Sequence, residues 1–186
     1  MNDSIHLARI HIIGGPGSGK TTLARQIAGT TGAPLYELDN IGYENGAGAR
    51  RPLHAKLADI HDIAAQPAWI TEGIFLWWTD ELLHRADMIV WLDPPVRVDL
   101  WRIVSRHVRT SLAGTNKHRG VRALVFFLRN AFQYYRGEAI QTSSPDDDSV
   151  VTRAATIHAL SEFEGNVVRC RTRSDVARLI RSLNSG

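Results

Sequence analysis

One short segment near the N-terminus has the residue types and spacing that bind phosphate. Residues 14–21 read GGPGSGKT and fit the pattern G-x-x-x-x-G-K-[ST] without a mismatch. Glycines let consecutive backbone N–H groups turn inward around phosphate oxygens, and a helix starting there adds its positive end. Lys20 would reach the terminal phosphates, and the Thr21 hydroxyl would bind magnesium. The predicted nucleotide ligands are Gly15, Pro16, Gly17, Ser18, Gly19, Lys20, Thr21 and Thr22.

Three acids follow predicted strands, at the sheet edge where parallel α/β proteins bind ligands. Asp39 ends LYELD, Glu72 lies in WITEG and Asp93 lies in WLDPP. Phosphoryl transfer needs magnesium and a group near the acceptor hydroxyl, which makes these acids candidates. We expect Glu72 to contact magnesium through water and rank Asp93 below it. The alternatives are a helix or turn cap for Asp39 and a structural hydrogen bond for Glu72.

The elements that must position these residues alternate along the chain. The residue pattern predicts strands at 8–13, 34–38, 68–71, 88–92 and 166–170. Apolar residues at three and four spacing predict helices at 20–30, 53–65, 96–110, 120–136, 149–163 and 174–183. Strand alternating with helix predicts a parallel sheet covered on both faces. The glycine-rich segment 42–51 and the segment 114–119 interrupt this alternation and are predicted moving parts.

Basic residues are concentrated in one block. From Arg97 to Arg136 the chain has nine Lys or Arg and one acid, a net charge of +8. This excess predicts an anionic partner, which can be nucleotide phosphate, nucleic acid or a membrane surface. On the helix 96–110, we expect an apolar face against the body and an outward face that carries Asp99, Arg102, Arg106 and Arg109. A second helix has Arg122, Arg129 and Arg136 at heptad spacing.

The chain resembles the adenylate-kinase-like P-loop kinases, most closely the small bacterial DNA topology modulation proteins and adenylate-kinase-related kinases. GGPGSGKTTLA at 14–24, ELD at 37–39, WITEG at 69–73 and the segment 86–109 carry this resemblance. It implies a single P-loop kinase domain over residues 1–186, with an acceptor-binding insertion at about 40–66 and a basic helical lid at about 97–140. It also implies a five-stranded parallel sheet in the order 2-3-1-4-5, with ATP as donor and magnesium as cofactor.

The resemblance suggests roles for further residues. Asp39 would contact the acceptor, as a general base or as a positioning group, and Arg102 and Arg106 would neutralise charge on the transferring group. Arg171 would lie near the adenine. Nucleoside monophosphate kinases usually place an arginine after the acid-glycine pair, whereas this chain continues Ile74-Phe75-Leu76-Trp77-Trp78. This departure argues against a nucleotide acceptor, although Arg50 and Arg51 can supply the charge and the tryptophans can line a pocket or the core.

Three functions therefore stay open. The first is transfer of phosphate from ATP to an unidentified small molecule, the second is a nucleoside or nucleoside monophosphate kinase, and the third is a nucleotide-gated protein that binds nucleic acid. The lack of a long apolar run predicts no membrane partner, and the single Cys170 agrees with a reducing, cytoplasmic compartment. We expect a monomer or a homodimer. Asp146, Asp147 and Asp148 are predicted to form a solvated loop that caps the next helix.

Overall fold

Five parallel strands form one sheet in the centre of the molecule. The computed structural model describes residues 8–113, 120–138, 151–161, 163 and 165–184. The strand order β2-β3-β1-β4-β5 confirms the predicted topology. The strands are β1 (Arg9–Gly14), β2 (Leu35–Glu37), β3 (Trp69–Gly73), β4 (Met88–Leu92) and β5 (Val167–Cys170).

Helices connect and cover the strands, and their bounds lie close to the predicted ones. Sequence periodicity did not predict α2, α4 or the 3-10 turn Glu44–Gly46, because a single short turn has too few residues to show a helical repeat. The predicted helix at 149–163 corresponds to α7, and residues 149, 150 and 162 lie outside the described residues. The helices in the described part of the chain are α1 (Lys20–Thr31), α2 (Leu38–Gly42), α3 (Leu53–Ala64), α4 (Asp80–Arg85), α5 (Val96–Leu112), α6 (Val121–Arg136), α7 (Arg153–Ser161) and α8 (Arg173–Asn184).

The central strand β1 is buried on both faces. Ile10 and Ile12 pack with Leu23 and Ile27 of α1 on one side, while Ile13 packs with Trp91 on the other. A strand that is covered on both faces needs apolar side chains on both of them, which explains the three isoleucines in RIHII. Parallel pairing aligns Ile12 with Glu72 of β3 and Gly14 with Leu92 of β4. The ends of β3 and β4 therefore flank the glycine-rich loop of residues 14–21, which we call the phosphate-binding loop.

The glycine-rich segment 42–51 is folded back on itself. Tyr43 and Arg50 form an isolated antiparallel bridge around the 3-10 turn. One guanidinium nitrogen of Arg51 donates to the Ile41 carbonyl at 3.0 Å and to Asp59 of α3 at 2.6 Å. Arg51 therefore fastens the segment to α3.

The two basic helices pack against each other and against the phosphate-binding loop. Ile103 of α5 and Tyr134 of α6 are buried. The prediction for Asp99 was wrong: it is fully buried instead of lying on an outward face with the arginines. Tertiary contacts with α6 explain this burial, because the Tyr135 hydroxyl lies 2.7 Å from Asp99 Oδ2. Residues 114–119 and 139–150, which include the predicted loop between the basic helices and Asp146, Asp147 and Asp148, lie outside the described residues.

Among the described helices, none combines the length and apolar character needed to cross a bilayer.

Candidate nucleotide-binding site

The loop between β1 and α1 has the backbone geometry that the glycine motif predicts. Gly17 and Gly19 have φ angles of 84° and 98°, which glycine adopts without strain. A Cβ atom at Gly17 would lie 2.9 Å from the backbone carbonyl of Asp99. Glycine is therefore needed at residue 17 both for its conformation and for the close approach of α5.

Two side chains of the loop suit a phosphate ligand. Lys20 donates from Nζ to the Gly15 carbonyl at 3.1 Å. Burial lowers the pKa of Lys20, while the charges of Glu72, Asp39 and Asp99 act in the opposite direction. The Ser18 hydroxyl is buried and has no hydrogen-bond partner among the described residues. A buried hydroxyl that no protein group satisfies fits a site that is completed by ligand oxygens.

Thr21 and Glu72 form one unit at the end of β3. The Thr21 hydroxyl donates to Glu72 Oε1 over 2.7 Å, and Glu72 is only 6% exposed. Burial raises the pKa of Glu72, whereas the Lys20 charge and the Thr21 hydrogen bond lower it. A hydroxyl that donates its proton to a carboxylate keeps its lone pairs for a cation. The hydroxyl and the carboxylate are hard oxygen donors of the kind that magnesium prefers.

Of the two arginines predicted to act on phosphate, Arg102 contacts the loop and Arg106 acts on it only through its charge. Arg102 is half-buried, and its guanidinium donates to the Ser18 carbonyl at 2.7 Å. Arg106 is exposed one turn further along α5, and its charge lowers the pKa of Lys20. The structure therefore places both residues near the loop, with Arg102 in direct contact.

Asp39 lies at the start of α2 and is exposed. Its charge acts on Lys20 to raise that residue's pKa, so Asp39 lies near enough to interact with the loop lysine. Trp78 is 1% exposed and packs in the core with Phe75 at a ring distance of 4.7 Å. Trp78 is therefore a core residue, and Trp77 packs against a second part of the core.

Asp93 belongs to an ion-pair cluster. Arg153 of α7 binds both carboxylate oxygens, at 2.7 and 2.9 Å, and Arg169 of β5 binds Oδ2. These hydrogen bonds and charges lower the pKa of Asp93 against the opposing effect of burial. Arg169 also lies 4.4 Å above the Trp91 ring. Both oxygens of Asp93 are engaged by arginine, which disfavours a metal ligand there.

Arg171 is exposed at the end of β5. The amides of Arg171 and Thr172 both donate to Asp175 Oδ2, at 3.0 and 2.8 Å. These bonds, together with the Thr172 hydroxyl, lower the pKa of Asp175. The adenine contact stays a prediction, and it would use carbonyl groups or the Arg171 side chain.

Sequence reasoning missed Tyr134 beside the loop and the burial of Lys56 in the core. Tyr134 of α6 packs its ring against Gly15, where a Cβ atom would lie 2.6 Å from ring carbons. Lys56 of α3 is fully buried, with its ammonium 5.1 Å from the centre of the Trp78 ring. The apolar residues around Lys56 in α3 are the one feature of the sequence that indicated its burial. Nothing in the sequence around Tyr134 indicated that its ring packs on the loop.

In comparisons with known proteins, the model of the ATPase family associated with various cellular activities (AAA) matches residues 10–70. A shikimate kinase from Acinetobacter baumannii, solved in complex with shikimate, is similar over 97% of this chain and 94% of its own, with a TM-score of 0.52 and 16% identity. A gluconokinase from Sinorhizobium meliloti 1021 is similar over 96% of this chain and 97% of its own, with a TM-score of 0.48 and 18% identity.

No curated protein sequence matches this chain. Identity this low to the shikimate kinase supports the fold alone, and the resemblance to adenylate-kinase-like proteins stays a prediction. The glycine loop after β1, the family match that includes it and the strand order 2-3-1-4-5 agree with one another. The chain therefore has the fold of the P-loop NTPases.

Proposed function

We propose that the protein transfers the γ-phosphoryl group of ATP to a small-molecule acceptor. The observation that carries this proposal is the 2.7 Å hydrogen bond between Thr21 and Glu72. It lies beside a glycine loop whose buried Ser18 hydroxyl has no partner in the part of the chain that the structure describes. Such a loop suits phosphate, and the threonine-glutamate pair suits the metal that accompanies it. The fold shared with a shikimate kinase supports the same class of reaction.

Thr21 and Glu72 would hold magnesium, Thr21 directly and Glu72 through water. Magnesium keeps several waters and binds few protein groups when phosphates complete its shell. When bound, it neutralises charge on the terminal phosphates and fixes their orientation. Glu72 accepts the hydrogen bond of the Thr21 hydroxyl and thereby orients the lone pairs of that oxygen.

Lys20, Arg102 and Arg106 would bind the phosphates. Lys20 is hydrogen-bonded across the loop to the Gly15 carbonyl, and a phosphate would exchange that carbonyl for anionic oxygens. Arg102 is fixed on the Ser18 carbonyl, which keeps its charge beside the loop. Positioned charges of this kind stabilise the transferring group because they need no reorganisation during the reaction. We assign the adenine to the region of Arg171.

Asp39 would face the acceptor hydroxyl, as a general base or as a positioning group. Its exposure and its electrostatic effect on Lys20 support a place between solvent and the loop. The acceptor would be bound by residues 40–66, and the lid would comprise residues 97–140. Arg51 is engaged by Asp59 and the Ile41 carbonyl, so it is a poor candidate to grip an acceptor phosphate. This engagement removes one of the two arginines that could grip a phosphate on the acceptor and leaves Arg50 as the other candidate.

The experiment is mass spectrometry of a metabolite extract incubated with protein, ATP and magnesium, to find products heavier by one phosphoryl group. We expect such a product with the wild type and a loss of at least 100-fold in its rate of formation with Lys20→Ala. Arg25→Ala is the matched control, because Arg25 is an exposed cation on the same helix that pairs with Glu37. Equal product formation by wild type and Lys20→Ala, or none from a broad extract, would refute the proposal.

A nucleotide-gated nucleic-acid-binding protein is the second candidate. Six exposed arginines on α5 and α6 have no acidic partner among the described residues, which favours an anionic surface as partner. Phosphate contacts of this kind lose affinity steeply with salt. Fluorescence anisotropy with labelled DNA and RNA, with and without ATP, tests it, and no binding at low salt would exclude it. The six are Arg97, Arg106, Arg109, Arg122, Arg129 and Arg136.

A further inference from the structure

Asp99 is a buried acid beside the phosphate-binding loop that the proposed mechanism does not use. Its side chain has no exposed surface. Its backbone carbonyl is in close approach to Gly17, and its Oδ2 lies 2.7 Å from the Tyr135 hydroxyl of α6. Asp99 therefore connects the loop, α5 and α6.

The hydrogen bonds around Tyr135 require one more proton than an ionised Asp99 can provide. The Tyr135 oxygen lies 2.7 Å from Asp99 Oδ2 and 2.7 Å from the Pro94 carbonyl. A phenol has one proton, and a carbonyl and a carboxylate only accept. If Asp99 is a carboxylic acid, it donates to Tyr135, which donates to Pro94, and every short contact contains a proton.

The charged groups that face Asp99 do not neutralise it by direct contact. Arg102 of α5 is 3.8 Å from Oδ1, beyond hydrogen-bond length, and it donates to Ser18 instead. Oδ1 has no hydrogen-bond partner among the described residues. Burial dominates and raises the pKa of Asp99 to about 6, and the charge of Asp93 after β4 acts in the same direction. The Tyr135 hydrogen bond and the charges of Arg102 and Lys20 lower this pKa but do not outweigh burial.

Tyr134 and Tyr135 bind α6 to both halves of the loop. The Tyr134 ring packs on Gly15, and Tyr135 reaches Gly17 through Asp99. We propose that Asp99 is a positioning residue that, in mildly acid conditions, holds a proton when α6 is docked on the phosphate-binding loop and releases it when α6 detaches. Docking would therefore take up a proton, so acid conditions favour the docked helix.

The direction of the pH dependence of docking follows from the pKa of the Asp99 carboxyl in the docked and detached states. In the docked state the pKa is about 6, and a detached, solvated Asp99 returns towards 3.8. Docking weakens as the pH rises from about 4 through 6, by about 100-fold in the docking equilibrium. The role in positioning the loop for phosphate rests on the proposed function, whereas the proton uptake does not.

The first test is hydrogen exchange of α6 amides from pH 5 to pH 8, corrected for the pH dependence of intrinsic exchange and measured without nucleotide. Over this range we expect protection in residues 121–136 of the wild type to fall by about 10-fold as Asp99 ionises, because the rest of the change lies below pH 5. Asp99→Asn supplies a neutral donor to Tyr135, so its protection should be high and independent of pH. Asp99→Ala removes that donor and should show low protection throughout. The matched control, Asp175→Asn on α8, should behave as the wild type.

The second test measures the Asp99 carboxyl directly by carbon NMR of the wild type, which avoids any folding defect of the variants. A pKa above 5 supports the proposal, and a pKa of 5 or below, or equal pH dependence of α6 protection in wild type and Asp99→Asn, overturns it. Neither measurement needs an acceptor. A failed acceptor screen would therefore refute the proposed function and leave the proton-linked docking of α6 standing.

Discussion

Glu72 and Asp93 lie at the same edge of the sheet, Glu72 near the end of β3 and Asp93 directly after β4, the strands on either side of β1, and their surroundings are opposite. Glu72 accepts one hydrogen bond from Thr21, and burial raises its pKa. Asp93 has both oxygens bound by two guanidiniums, and its pKa is lowered. The comparison teaches that an acid at a strand end acquires its role from its partners. A carboxylate with acceptor positions still available can bind a cation, whereas a carboxylate whose oxygens are both bound by arginine stabilises the fold.

The largest effect that tests this comparison is on stability. Asp93→Asn leaves Arg153 and Arg169 without their counter-charge, and we expect the free energy of unfolding to fall by about 3 kcal/mol. This is the low end for a broken buried pair because the arginine side chains are 29% and 41% exposed. Urea unfolding at pH 7 measures it. Glu72→Gln is the paired variant, and an equal loss there would erase the distinction between the two acids.

The next effect concerns magnesium. Glu72→Gln keeps an acceptor for Thr21 but removes the charge, and we expect the magnesium-dependent part of ATP affinity to fall by about 10- to 100-fold. Titration of a fluorescent ATP analogue with and without magnesium measures it. Glu81→Gln, a partly exposed acid on α4, is the control. Unchanged magnesium dependence in Glu72→Gln would mean that this carboxylate is structural.

A smaller effect separates the contributions within the Asp93 cluster. Arg169→Lys keeps the charge but loses the planar fork on Asp93 and the contact with Trp91. We expect a loss of about 1 kcal/mol in the free energy of unfolding, since this side chain is 41% exposed. Arg153→Lys should cost more, because Arg153 contacts both oxygens and is less exposed. Thermal and urea unfolding would contradict this account if the order were reversed.

The smallest expected effect is on the pH dependence of stability, which should change in opposite directions for Glu72→Gln and Asp93→Asn relative to the wild type. The raised pKa of Glu72 means that the wild type loses stability relative to Glu72→Gln as the pH rises through that pKa. The lowered pKa of Asp93 means that the advantage of the wild type over Asp93→Asn is present above 3.8 and shrinks as the pH falls further. Unfolding curves of the three proteins from pH 3 to pH 8 measure both, and parallel trends would contradict the comparison.

The strands and most of the helices were predictable because each carries a local apolar pattern. The bounds of β4 match the prediction, and the ends of α1 and α3 differ by one residue. The short α2 and α4 were missed because a single turn shows no periodicity. The partners of Asp93 were missed because Arg153 and Arg169 are 60 and 76 residues away in sequence. Periodicity also misplaced Asp99, since three and four spacing defines the faces of a helix and does not say which neighbour covers a face.

The sequence by itself determined the phosphate-binding loop, because the conformation of Gly17 and Gly19 and the start of α1 are local properties of GGPGSGKT. It also determined the strand order through the resemblance carried by the motifs. Only the tertiary structure decided the partners of the acids: Thr21 for Glu72, two arginines for Asp93 and Tyr135 for Asp99. The charge of a buried carboxyl depends on groups that approach it from distant parts of the chain, and residue type and spacing do not encode that approach.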